Sequence, residues 1–159
     1  MRTTLAFITS LALTAPTLAV SSTVTNQAPQ KTTVFTVIAQ SDSSNSGLNF
    51  NGASQGGKTF TVPLGWTVRI QYKNAGPMPH SLVVVPAGAP VLSYDQAAAA
   101  FKGAASPDPV KGVVKQATLT FKASKAGKYL LICGVPGHGM GGQYINLEVS
   151  PAAKAASFK

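Results

Sequence analysis

Hydrophobic and polar positions alternate along much of this chain with a period of two. Residues 32–40 (TTVFTVIAQ) are β-branched and alternating, as a strand packed on one face should be. Val68, Ile70 and Tyr72 alternate with Thr67, Arg69, Gln71 and Lys73, which puts one apolar face on a strand over residues 67–73. Residues 58–62, 81–85, 117–121, 128–133 and 143–149 also read as strands, and residues 48–51 as a shorter one. Clusters of turn formers separate them: the Ser/Asn/Asp/Gly loop at 41–47, the glycine-rich turn through Gly57, Pro63-Leu64-Gly65-Trp66, Pro86 and Lys125-Ala126-Gly127. Seven or eight short strands joined by turns predict an all-β protein, a β-sandwich or closed barrel. Residues 87–112 break the pattern. There Ser93 and Gln96 make a capping box ahead of YDQAAAAFK, so one short helix is expected over residues 94–102, stopped by Gly103.

The chain ends follow other patterns. Arg2 precedes a mostly apolar run from Leu5 to Ala15, and Thr17-Leu18-Ala19 ends in a small residue. This is the layout of an export signal over residues 1–19, with an uncleaved anchor as the alternative. The apolar run is shorter than the roughly 20 residues a membrane-spanning helix needs. No cysteine lies near it, which excludes a lipid-linked lipoprotein. Residues 20–31 read as a polar linker, 32–150 as one domain and 151–159 as a flexible tail. The expected location is periplasmic or extracellular, with membrane association left open.

Composition narrows the function classes. A length of 159 residues suits one domain, and 45% hydrophobic against 11% charged residues favours a packed core over disorder. Basic residues outnumber acidic ones 13 to 4. Without residues 1–19, which include Arg2, 12 basic and 4 acidic residues leave a net charge of +8. Such a surface favours partner proteins with acidic docking surfaces, or an anionic membrane surface, and makes association salt-dependent. The lysines form no basic run with interleaved aromatics, so a nucleic-acid partner is not expected. A monomer is expected.

The single cysteine rules out an intramolecular disulfide. A lone thiol in an exported protein is open to oxidation and mispairing, so something should protect or use it. Cys133 opens the segment CGVPGHGMGGQ, in which His138 follows after four intervening residues, on a Gly/Pro loop between two predicted strands. His80, the other of only two histidines, stands before an earlier strand in Pro79-His80-Ser81. Taken singly, a lone cysteine is most often a small buried hydrophobe, and a lone histidine an ordinary surface or core residue. Their joint placement points to metal. A thiolate with two imidazoles is the trigonal set of a type 1 copper site, completed by a weak axial ligand. Gln143 is the expected axial ligand, because it shares strand parity with Ile145, Leu147 and Val149, the face that should point inward; Met140, among the loop glycines, is the alternative. Zinc could use the same three residues, and a Cys/His nucleophile pair is the enzymatic reading. Two histidines cannot supply the second copper centre of an oxidase or nitrite reductase, and one cysteine cannot build a dinuclear copper site. An enzyme is therefore not expected. A single-electron carrier is favoured, with a copper carrier or chaperone as the alternative.

The segment Tyr129-Leu130-Leu131-Ile132-Cys133 through His138, together with Pro79-His80-Ser81, resembles the cupredoxins, and most of all their sulfocyanin and rusticyanin branch. Leu48-Asn49-Phe50-Asn51-Gly52 and Val62-Pro63-Leu64-Gly65-Trp66 extend the resemblance over most of the chain after residue 19. It implies a Greek-key β-sandwich with the site at one end, and one copper ion held equatorially by His80, Cys133 and His138. It also implies electron exchange with redox partner proteins. That branch carries methionine five residues after the loop histidine; here the position is Gln143, as in stellacyanin-like cupredoxins. The resemblance further implies that Ser81 ties the two ligand loops together and that Gly134 brings a backbone N–H near the thiolate. Pro77, Met78, Pro79, Pro136, Gly137, Gly139, Met140, Gly141 and Gly142 flank the ligands with small or apolar groups. They are expected to form a flat apolar patch around the edge of His138, a surface suited to brief docking.

Overall fold

The period-two pattern becomes two facing sheets. The computed structural model describes residues 24–88 and 94–159. The strands found among them are β1 (Val24–Gln27), β2 (Thr32–Ala39), β3 (Thr59–Pro63), β4 (Thr67–Asn74), β5 (Val83–Pro86), β6 (Gln116–Lys122), β7 (Gly127–Ile132), β8 (Tyr144–Ser150) and β9 (Ser157–Phe158). One sheet has the order β1-β2-β4-β6 and the other β5-β7-β8-β3-β9. The pairs β2–β4 and β3–β8 are parallel; the other pairs are antiparallel. The all-β sandwich expected from the pattern is present.

Side-chain alternation places the core. Val68, Ile70 and Tyr72 of β4 are buried while Arg69, Gln71 and Lys73 are exposed. Phe35, Val37, Leu119 and Phe121 join them from the same sheet and meet Phe60, Val62, Leu131, Ile145, Leu147 and Val149 from the other. Phe35 stacks on Phe60 with ring centroids 4.0 Å apart. Burying each such side chain contributes roughly 1.5–3 kcal/mol, and the packed sheets form a rigid base for the loops at their end.

Four expectations need correction. Residues 94–102 form no α-helix; a single 3-10 turn at Gln96–Ala98 remains, with Asp95 Oδ1 accepting the Ala98 N–H at 3.1 Å. Ser93 of the expected capping box lies outside the described residues. The segment instead runs along the free edge of β5: Ala100 N–H donates to Val84 O, Val84 N–H to Ala104 O and Ser106 N–H to Leu82 O. These long-range bonds cover an exposed strand edge and override the helix propensity of the alanines. Residues 48–51 form no strand and contribute only two isolated bridges, from Phe50 to Ala39 and to Ala53, because Asn51 turns the chain with φ +53°. The linker expected at 20–31 contains β1, which pairs with β2 from Val24↔Phe35 to Gln27↔Thr32. The tail expected to be flexible at 151–159 contains β9, paired with β3. The Asn26 side chain accepts the Ala156 N–H at 3.0 Å and donates to Ala156 O at 2.9 Å, fastening the two ends together. The expected export signal, residues 1–19, lies outside the described residues.

Candidate metal centre

The three residues singled out in the sequence meet at one end of the sandwich. His80 stands on the loop between β4 and β5, Cys133 directly follows β7, and His138 lies on the loop from β7 to β8. That second loop is wound tightly: Gly141 N–H donates to Gly137 O, Gly142 N–H to Gly139 O and Gln143 N–H to His138 O. Gly137 has φ +82°, a conformation that L side chains rarely adopt. Cys133 N–H closes the loop on Gln143 O at 3.1 Å.

One ligand atom each from His80, Cys133 and His138 lies within 4.8 Å of the others. Cys133 Sγ stands 3.6 Å from His138 Nδ1. Metal–sulfur and metal–nitrogen bonds of about 2.3 and 2.0 Å, opened by about 110–120°, would separate their donor atoms by about 3.5–3.8 Å. The residues present therefore fit a thiolate–imidazole metal site. His80 and Cys133 are buried, and His138 is half-buried.

Burial also sets the protonation. Loss of water pulls His80 down to about 4, with the Gln143 hydrogen bond partly opposing it and the nearby His138 and Lys115 adding to it. Burial likewise lowers His138. Both imidazoles are therefore neutral at pH 7, the form that binds metal. Burial raises the Cys133 thiol, against backbone hydrogen bonds from Ser81 and Val135 and the Ser81 side chain. A metal ion supplies the charge that would favour the thiolate.

Ser81 ties the ligand loops together as expected. Its N–H points at Cys133 Sγ at 3.4 Å, and its hydroxyl accepts the Gly134 N–H at 2.8 Å. The expectation for Gly134 is corrected by the same bond: its N–H serves Ser81 Oγ, and the backbone partners of the sulfur are Ser81 and Val135. The described part of the connection between β5 and β6, from residue 94 on, packs against the site. Gly112 O accepts the His80 N–H at 3.0 Å, and Tyr94 N–H donates to Gly134 O at 3.2 Å. A Cβ at Gly112 would fall 2.4 Å from Val135 Cγ2 and 2.9 Å from His80 N, so only glycine allows this approach.

The two axial candidates are placed very differently. Gln143 is wholly buried and Met140 is 69% exposed. Gln143 Oε1 stands 2.9 Å from His80 Nδ1, while its Nε2 donates to Asn49 O at 3.3 Å. Of the residues that flank the ligands in sequence, Pro77, Pro79, Pro136, Gly137, Met140 and Gly141 are exposed, Met78 is half-buried, and Gly139 and Gly142 are buried.

Sequence reading missed two residues here. Gln40 Oε1 contacts His80 Nε2 at 3.1 Å. Asn49 is wholly buried; it orients Gln143 and holds the 41–44 loop through Asp42 O and Ser44 O. For Gln40 the only signal was a polar residue ending an apolar strand. For Asn49 it was an asparagine between two apolar neighbours.

A sequence model of the sulfocyanin (SoxE) domain matches residues 20–157. A sulfocyanin of Sulfolobus acidocaldarius is 30% identical over 128 residues, covering 76% of this chain and 64% of the relative; the chain thus spans less than two thirds of that protein's length. Among solved structures, dithionite-reduced auracyanin from Roseiflexus castenholzii is similar at 24% identity and a TM-score of 0.52, covering 76% of this chain and 98% of its own. The copper protein rusticyanin is similar at 18% identity and a TM-score of 0.51, covering 84% and 90%. These two likenesses are of fold. Auracyanin A from Chloroflexus aurantiacus, a blue copper protein, reaches 25% identity and a TM-score of 0.50 over 75% and 99%. Because the sulfocyanin-domain match spans residues 20–157, the chain belongs to the sulfocyanin family of cupredoxins, a family of blue copper proteins.

Proposed function

We propose that this protein is a mononuclear type 1 copper carrier that shuttles single electrons between partner proteins outside the cytoplasm. The observation that carries this reading is the convergence of His80, Cys133 and His138 ligand atoms within 4.8 Å at a largely buried end of the sandwich. His80, Cys133 and His138 would hold the copper ion, with Gln143 as the further, weaker ligand. Gln143 Oε1 supports that assignment by its closeness to His80 Nδ1, and Met140 is disfavoured by its exposure. Copper held there supplies one-electron exchange between Cu(I) and Cu(II). The chain's own residues hold both imidazoles neutral, keep water from the sulfur and fix the donors on a rigid frame.

The half-buried His138, with exposed Pro136, Gly137 and Met140 beside it in the chain, is the exit for the electron. Brief docking there with an acidic partner is favoured by the excess of basic residues, 13 against 4. An export signal at residues 1–19 accords with a family match that begins at residue 20. Among the described residues, no helix is long and apolar enough to cross a membrane.

The test is to load the purified protein with Cu(II) and record its visible absorption and electron paramagnetic resonance spectra beside those of Cys133→Ser. A strong thiolate-to-copper band with narrow copper hyperfine splitting, lost in the variant, is expected. A colourless protein that binds no Cu(II) tightly would overturn the reading. Repeated reduction and reoxidation without metal loss distinguishes an electron carrier from a protein that delivers copper.

A further inference from the structure

His80 is held by two glutamines, one at each ring nitrogen. Gln143 Oε1 faces Nδ1 at 2.9 Å and Gln40 Oε1 faces Nε2 at 3.1 Å. Both oxygens are acceptors, yet a neutral imidazole has one N–H. Either neutral tautomer therefore leaves one oxygen facing a bare nitrogen. With both amides as oriented, the conflict is resolved when Nε2–H donates to Gln40 while the lone pairs of Nδ1 and Gln143 Oε1 turn together toward a cation. The Gln143 amide is fixed in that sense by its Nε2 donating to Asn49 O.

The chain is shaped around Gln40. The residue directly follows β2 with φ +50°, a left-handed conformation that disfavours a side chain by roughly 1–2 kcal/mol. Backbone strain of this kind persists where surrounding structure holds it, and here Gln40 N–H donates to Asn49 O at 3.0 Å. Its amide lies in a slot between two glycines. A Cβ at Gly76 would fall 1.7 Å from Gln40 Oε1, and one at Gly47 would fall 2.7 Å from Gln40 Nε2. The slot admits the amide only because both neighbours lack side chains.

We infer that Gln40 is a positioning residue for the copper centre: its amide carbonyl receives Nε2–H of His80 and so aims Nδ1 at the metal. Loss of such an outer partner typically weakens metal binding by about 10–100-fold. This inference rests on the assignment of His80 as a ligand. The acceptor also makes the imidazole a stronger donor, which favours Cu(II).

The experiment compares the copper-loaded full chain with Gln40→Met, Gln40→Glu and Gly76→Ala. Methionine keeps the length and removes the acceptor; glutamate keeps the shape and strengthens it. In the reduced protein the His80 Nε2–H should give a slowly exchanging imidazole proton signal. Gln40→Met should speed its exchange at least tenfold, weaken copper binding and raise the reduction potential. Gln40→Glu should restore the protected proton and lower the potential below that of the unaltered protein. Gly76→Ala should reproduce the Gln40→Met changes by displacing the amide. Unaltered protein that binds copper, with Gln40→Met matching it in proton exchange and potential, overturns the inference alone. Failure of the unaltered chain to bind copper overturns both the inference and the proposed function.

Discussion

An amide oxygen is a harder donor than a thioether and stabilises Cu(II) more strongly relative to Cu(I). With Gln143 as the axial ligand, Gln143→Met should raise the reduction potential, measured by redox titration against mediators of known potential. An unchanged or lower value would count against the axial role. Tyr72 offers a second test. Its hydroxyl is buried and meets no hydrogen-bond partner among the described residues, and burial, with Cys133 adding to it, pushes its ionisation far up. An unsatisfied buried hydroxyl carries a desolvation cost of about 1–3 kcal/mol. Tyr72→Phe should therefore unfold in urea with unchanged or slightly higher stability; a clear loss would show that the hydroxyl is bonded. At this scale the sequence was legible where residue types were rare. One cysteine and two histidines left few ways to build a site. Gln40 was not legible, because glutamine is common and its partner lies 40 residues away.

Strands were legible wherever one face was buried and the other wet, as β4 shows residue by residue. They were not legible where backbone pairing alone defines them. β1 is exposed at three of its four positions, so no alternation marks it. β9 has two residues, both half-buried. The Ala-rich segment failed for the opposite reason: strong local propensity lost to hydrogen bonds with β5. β9 still contributes to packing. Phe158 meets the Phe35 ring at 5.0 Å and lies under Lys58 Nζ at 5.3 Å. Partial burial of such a ring contributes about 2 kcal/mol. Phe158→Ala should lower the unfolding free energy by about that amount while leaving the copper spectrum unchanged, since the ring packs on strand residues and the site stands on loops. A spectral change on this substitution would show that the β3–β9 edge communicates with the metal end.

The whole molecule has an unusual charge balance, with only four carboxylates against thirteen basic groups. Acid unfolding of most proteins is dominated by carboxylates; here the histidines should shape it. In copper-free protein His80 has its proton affinity lowered from 6.5 to about 4. Between those values the unfolded chain holds more protons than the folded one, so stability rises with pH through that window. The contribution is fully present above about pH 6.5 and gone below about pH 4. Its size is about 3 kcal/mol for a buried imidazole displaced this far. His138, lowered by burial, acts in the same direction. Asp42, lowered by its Ser44 hydrogen bonds from 3.8, loses its contribution only below that window. The Cys133 thiol, raised from 9.0, removes stability as pH climbs above 9. Copper-free protein should therefore be most stable between about pH 6.5 and 9, with a steep acid limb. Bound copper competes with protons for the same imidazoles and should carry that limb to lower pH. Urea unfolding from pH 4 to 9, with and without copper, measures both effects. A copper-free profile flat between pH 4 and 6.5 would show that His80 gains its proton without resistance, and that the closed end of the sandwich does not exclude water from the site.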